Sequence, residues 1–462
     1  MQRNASLDVL RGFAILAMVL SSSIAFGILP AWMYHAQVPP PAHVYHPELP
    51  GITWVDLVFP FFLFSMGAAF PLAFYKRLKE GEPVWKLGGQ IVQRYLLLVF
   101  FALFTFHARA WVMSQTPGVP EYLLSIACFV LLFFMYVQWK GERHKKVLGV
   151  VRVLAFAGAA AFLVFIAFAK EVQLHRSDII IIVLANMALF GSVIWLATRH
   201  QPLWRMGLLP FVMAVFLGSK TGGSINDVVY SWTPFSWMYQ FYYLKYLFII
   251  IPGTFAGEWL LTRMQQTTSA RAEDGSWKGI AAASVALVVL NTAFLFSRAL
   301  LLNLVTSVVL LAFIGYLLHR SARNEVYTCR RQMITAGAYL LLLGLLFDAW
   351  EGGVKKDPST YSYYFITSGL AFFALIAFDI GESLRPLRPL THYLALNGRN
   401  PMVAYVIGNL LLLPLLHLTG ALAVFKAMEA DVWLGVLRGL LFTGIVSLVT
   451  ILFVKKKWYW KT

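Results

Sequence analysis

The chain has 462 residues, 59% of them hydrophobic and 13% charged, with a mean hydropathy of +0.70. So much apolar surface excludes a soluble globular protein of this length, whereas a bilayer can hold it. The formal charge of +17 sits in short loops between apolar runs. There it reports membrane topology and argues against nucleic acid as a partner.

The first expected span is roughly 7–29, following Ser6-Leu-Asp-Val-Leu-Arg-Gly12. Asp8 and Arg11 lead straight into the apolar run, and no small-x-small cleavage site follows before the proline-rich loop. The segment therefore reads as the first membrane helix and not as a signal peptide. Three residues apart, Asp8 and Arg11 share a helical face and can pair. Such a pair either neutralises a helix start, or holds a phosphate or orients a pocket.

A loop rich in proline and histidine follows, with His35, His43, His46 and Glu48. Further spans are expected at about 52–75, 88–107, 121–138, 148–168, 178–197, 203–218 and 242–262. The rest lie at about 278–296, 299–318, 332–349, 362–380, 400–418 and 433–453. The fold class is thus an all-α polytopic integral membrane bundle of about 14 helices, with a range of about 11 to 14. Alternate connections carry Lys76/Arg77/Lys79, Lys140/Arg143/Lys145/Lys146, Arg199/Arg205 and Arg263/Arg271. The series continues with Arg320/Arg323/Arg330/Arg331, Arg385/Arg388 and Lys455-Lys456-Lys457. Both termini should then be cytoplasmic and the histidine loop outside, in a bacterial inner (plasma) membrane. Trp32, Trp54, Trp85, Trp111, Trp139, Trp350, Trp458 and Trp460 mark run ends, as interfacial anchors do.

Cys128 and Cys329 set no disulfide framework. No P-loop or Gly-rich dinucleotide turn interrupts the helices, which disfavours an ATP-driven pump or a NAD enzyme. The inverted repeat of many secondary transporters is not visible.

Chemistry concentrates in a few polar stretches. His46 to Pro60 carries a histidine and a carboxylate, Asp56, to where a polar loop meets a hydrophobic helix. An ionisable group at such a place is a functional candidate, and an imidazole beside a carboxylate suits general-base work. The histidine spacings match no zinc motif, and no metal is expected. Glu351 to Ser362 places Lys355 and Lys356 in an outer connection, against the charge trend. Asn397 and Asn400 stand at a helix start with Tyr405 about one turn further on, suited to capping or to binding hydroxyls and amides. Gly222 to Asp227 is a polar outer loop of low specificity.

Ser6–Gly12, His46–Pro60, Phe64-x-x-Gly67 and the closing Ile451–Lys461 resemble the heparan-alpha-glucosaminide N-acetyltransferase family. His46, Gly51, Thr53 and Asp56 fall in register with its histidine-glycine-threonine-aspartate pattern. Lys356 with Tyr361 and Tyr363, and Asn397-Gly-x-Asn400 with Tyr405, match its outer loop and helix start more loosely. The likeness is best over residues 5–76 and 350–462 and poor over 110–340, within what reads as one transmembrane domain over 1–462. Ser22 stands where the family has an asparagine, and the tryptophan of the outer loop is absent.

The resemblance implies transfer of an acetyl group from cytoplasmic acetyl-CoA to an amino sugar or sugar hydroxyl on the other side. It implies His46 as the catalytic group, as an acetyl carrier or as a general base, with Asp56 orienting it. Asp8, Arg11, Ser22, Lys356, Asn397, Asn400 and Tyr405 would bind sugar or CoA. The implied partners are acetyl-CoA, a glycan acceptor and the lipid bilayer, and a homodimer is compatible. A transporter of a sugar or muropeptide on the same frame is the alternative, and sugar binding without acetyl-CoA binding would mark it.

Overall fold

A computed structural model describes residues 4–138, 145–169, 176–266, 275–321 and 324–462. Trp139, Lys140, Arg143, Arg271 and Arg323 lie outside the described residues, as does the side chain of Lys145. Helices α1 (Ala5–Ser23), α2 (Trp54–Lys79), α3 (Val84–His107), α4 (Val119–Tyr136) and α5 (Lys145–Ala169) come first. Next are α6 (Ile179–Thr198), α7 (Pro202–Gly218), α8 (Leu247–Gln265), α9 (Gly275–Phe296) and α10 (Leu300–Arg320). The chain continues with α11 (Glu325–Trp350), α12 (Tyr361–Ser383), α13 (Arg388–Gly398), α14 (Pro401–Leu418) and α15 (Val432–Lys455).

Among the described residues, 13 helices are long and apolar enough to cross a membrane, and Pro202–Gly218 is a shorter apolar helix. The protein is a polytopic helical membrane protein, as hydropathy predicts. Two boundaries differ instructively. The first helix stops at Ser23, not near residue 29: Gly27 takes φ +86° and Pro30 follows, so the apolar run continues as bends. The span over 401–418 is not a regular α-helix, because Gly408–Leu412 widens into a π-helical turn ahead of Pro414, which has no N–H to give. The only strands among the described residues are Val137–Gln138 and Tyr459–Trp460, paired antiparallel.

The centre of the bundle is α12, whose residues are nearly all buried, packed on α11, α9, α8, α2 and α1. Two helix pairs approach backbone to backbone. A Cβ added at Gly12 would lie 1.8 Å from the Leu394 carbonyl oxygen, and one at Gly398 would lie 1.9 Å from that of Asp8. Across α2 and α8, a Cβ at Gly67 would meet Ile250 O at 2.3 Å. Within a bilayer helices gain nothing from hiding apolar surface from one another, so small residues that permit close packing carry the association. The Phe64-x-x-Gly67 motif thus has a packing reason.

Candidate active site

Asp56 sits in the first turn of α2 and is fully buried. Its Oδ2 accepts from the backbone N–H of Thr53 (2.9 Å) and of Ala36 (3.3 Å), the first being half of a capping box. A carboxylate there also complements the helix dipole. The Thr53 hydroxyl donates to Tyr34 O at 2.6 Å, and the Tyr363 hydroxyl to Asp56 O at 2.8 Å. The other oxygen, Oδ1, has no hydrogen bond. It faces His35 Nδ1 at 3.4 Å and Lys356 Nζ at 3.6 Å. One oxygen of Asp56 is therefore spent on holding the helix start, and the second is presented to two cationic or protonatable groups.

The two loops that bring these groups in are stapled by Gln37, itself fully buried. Its Nε2 donates to Pro47 O (3.2 Å) and to Asp357 O, while its Oε1 accepts from Asp357 N (2.8 Å). The Tyr45 hydroxyl donates to the same Asp357 carbonyl at 2.6 Å, and its pKa is raised, by burial and then by the Asp357 charge. At the base of the second loop, Glu351 accepts from the N–H groups of Tyr361 and Ser362, both at 2.8 Å, closing the start of α12. Gln37→Ala removes the side chain's hydrogen bonds to Pro47 and Asp357, each worth about 0.5–1.5 kcal/mol. We expect a lower Tm and faster proteolytic cleavage within the loops; an unchanged Tm would show that the staple contributes nothing.

His46 stands apart from this cluster. Its side chain is 46% exposed, and its Nδ1 lies 2.9 Å from Glu48 Oε1. Glu48 is held below the usual carboxyl pKa, first by its own backbone N–H and then by His46. The sequence expectation that Asp56 orients His46 is thus not the pairing in the structure: His35 and Lys356 hold that position. The physical reason is the backbone path, since Ala36 N–H bonds Asp56 and draws His35 alongside. His43 is a packing residue, stacked on Phe26 with ring centroids 3.7 Å apart and edge-on to Tyr34.

The remaining candidates fall in three other places. Ser22 and Tyr405 line one cavity of about 340 Å³ with Arg109, Asp178 and Asn409. The Tyr405 hydroxyl donates to Asp178 Oδ2 at 2.7 Å, Arg109 pairs with the same oxygen, and Asp178 Oδ1 caps α6. Asp8 pairs with Arg11 as expected (3.3 Å) and also approaches Arg399 (3.8 Å) near the other end of α1. Asn400 precedes α14 but does not cap it. Its amide donates to Trp458 O (2.9 Å) and accepts from Trp460 N (3.1 Å), anchoring the C-terminal tail. Asn397 ends α13, not α14, and donates to Tyr393 O at 3.0 Å.

His35 lay within the histidine loop but was not distinguished from its neighbours by sequence. Gln37, Asp357 and Arg109 left no signal, because their roles depend on partners far along the chain. Asp178 did leave one: an acidic residue directly before an apolar run is an N-cap signature.

Residues 3–260 match the family model described as "Domain of unknown function (DUF5009)", more than half of the chain, and the chain belongs to that family. Among curated proteins it is similar to heparan-alpha-glucosaminide N-acetyltransferase of Mus musculus, 29% identical over 139 residues, which is 29% of this chain and 19% of that protein. The protein of the same name from Homo sapiens is 28% identical over 135 residues, 28% of this chain and 18% of its own length. The similarity thus spans less than a fifth of the length of these relatives.

Proposed function

We propose that this DUF5009 member is a membrane-bound acyltransferase, carrying an acetyl group from cytoplasmic acetyl-CoA to an amino sugar or sugar hydroxyl on the histidine-loop face. In this reading His46 is the catalytic group. The observation that carries the acyltransferase reading is Asp56 Oδ1, a fully buried carboxylate oxygen without a hydrogen bond, set beside the His35 imidazole and the Lys356 ammonium group under the loops. A buried carboxylate oxygen that meets its neighbours only at ion-pair distances keeps its capacity to accept a hydrogen bond. The names of the two similar proteins support acetyl transfer as the chemistry.

A donor needs a second opening. Between α8 and α11, where these helices carry Arg263 and Arg331, a cavity of about 510 Å³ is also lined by Trp259 and Tyr327. The Arg331 guanidinium suits a phosphate, Arg263 being committed to Asp379, and aromatic faces suit a purine. Ser22 and Tyr405 would line the path of the acyl-bearing arm, Lys356 would hold the acceptor, and Asp8 and Arg11 would brace the far end of α1. Asn397 and Asn400 would act through helix and tail placement.

The test is acetyl transfer in proteoliposomes, with acetyl-CoA on one side and glucosamine on the other. Acetylated glucosamine should accumulate only when acetyl-CoA faces the α8–α11 cavity, and acetyl-CoA should raise the Tm of the detergent-solubilised protein. Neither transfer nor stabilisation at millimolar acetyl-CoA would overturn the reading and favour transport.

A further inference from the structure

Two cavities adjoin between the α1, α2 and α14 group and the α3–α6 pair, sharing Met18, Ile180 and Tyr405 in their walls. The larger, of about 340 Å³, is the one that Ser22, Arg109, Asp178 and Asn409 line. Asn409 stands in the π-helical turn of α14, a distortion that recurs at functional sites. The smaller, of about 40 Å³, is bounded by Phe59, Phe62, Leu98, Phe101 and Met402, and no charged side chain lines it.

Tyr405 divides the two. Its hydroxyl donates to Asp178 Oδ2 at 2.7 Å in the larger cavity, while the same residue walls the apolar one. A phenol with a polar tip and an apolar body suits such a boundary. Arg109 pairs with the same carboxylate, so the charges of the polar compartment offset each other. A carrier group that is polar and neutral, such as an amide, ester or thioester, fits beside that pair better than a bare ion, which would compete for one of its members. Along α1 the apolar end starts at Ile15 and the polar end reaches Ser22, about 10 Å at the helical rise. A molecule filling both compartments thus has a polar body and a short alkyl end. An apolar cavity that admits benzene measures about 150 Å³, so a volume of about 40 Å³ takes one or two carbons.

Resting on the acyltransferase reading above, in which Ser22 and Tyr405 line the path of the acyl-bearing arm, we propose that the small cavity receives the alkyl end of the acyl group. It sets the length at one or two carbons beyond the carbonyl, an acetyl or a propionyl group. The carbonyl and its carrier lie on the polar side of Tyr405. A third carbon overfills the space, because Phe101 and Leu98 are core residues, 1% and 3% exposed, with no room to withdraw. Met402 and Met18 are only half-buried and unbranched, which makes them the two walls that can be cut back. The same chemistry, a short acyl chain on a polar carrier, is presented by the donor thioester and by an N-acylated sugar product.

The experiment compares kcat/KM for acetyl-, propionyl-, butyryl- and hexanoyl-CoA with glucosamine as acceptor, using the full-length protein in detergent. The wild type should use the first two and lose about 10-fold or more at butyryl. Met402→Ala should raise the butyryl-to-acetyl ratio by about 10-fold, and Met18→Ala should do the same from the opposite wall. The ratio is internal to each preparation, so a loss of folded protein does not move it. Thermal shifts with the same acyl-CoA series, and with N-acetyl- and N-butyrylglucosamine, read the length limit without turnover. A limit in the acyl-CoA series assigns the cavity to the donor, and a limit confined to the N-acyl sugars assigns it to the product. If the wild type turns over and shows no length limit, or both methionine variants keep its profile, the inference fails and the acyltransferase reading stands. A wild type with neither transfer nor stabilisation by any acyl-CoA would instead sink that reading, and this one with it.

Discussion

His46→Ala is expected to abolish acetyl transfer, a fall in kcat of about 10²-fold to 10⁴-fold, while leaving the protein folded. The folding half of the expectation follows from the surroundings of the side chain. It is 46% exposed, and the carboxylate it meets, Glu48, is 67% exposed. Exposed pairs of this kind contribute little to stability. The loop is held instead by backbone bonds, including His46 N–H to Gln37 O at 2.9 Å, which alanine keeps. The measurement is kcat beside Tm for the same preparation, with Glu48→Gln as the companion. Glu48 is held below the usual carboxyl range and meets His46 in an exposed pair, so its loss should alter the rate only modestly. Turnover retained in His46→Ala would remove this residue from the mechanism.

Asp379→Ala should produce the largest loss of stability, about 3–5 kcal/mol. Asp379 is buried in α12, and Arg263 from α8 grips both its oxygens at 2.7 and 2.9 Å. Arg330 from α11 adds a bond from its Nε at 2.9 Å and lies over the Trp277 ring at 4.6 Å. Removing the carboxylate takes away the charge that both guanidinium groups share among apolar helices, and with it much of what offsets their desolvation. The check is thermal unfolding in detergent. Asp379→Asn should be nearly as damaging as alanine, since the amide restores hydrogen bonds but not the charge. An Asp379→Asn variant with wild-type Tm would show that geometry and not charge holds the three helices together. The effect should also reach the cavity between α8 and α11, because Arg263 lines it.

Much of this protein was readable along the chain. Hydropathy is a local property, and runs of sufficient length must cross a bilayer as helices because only there are their backbone groups satisfied. That is why the expected spans fall on the observed ones, with errors where Gly27 and Pro30 end a helix early and where Pro414 widens one. The pairing of Asp8 with Arg11 was legible for the same reason, being one turn apart. So was the place of Asp56, a carboxylate in the first turn of a helix.

What Asp56 does was not legible. Sequence places it ten residues from His46, but the partners it meets are His35, through a loop that doubles back, and Lys356, from the loop that precedes α12. Likewise Asn400 reads as a helix cap and instead holds the backbone of the C-terminal tail. Composition and periodicity determined that the chain is a bundle of membrane helices and where polar groups enter it. Which polar groups touch was decided only in three dimensions. Side-chain contacts a few ångströms long depend on backbones brought together by glycines such as Gly12 and Gly398, hundreds of residues apart in the chain, and no local pattern encodes that approach.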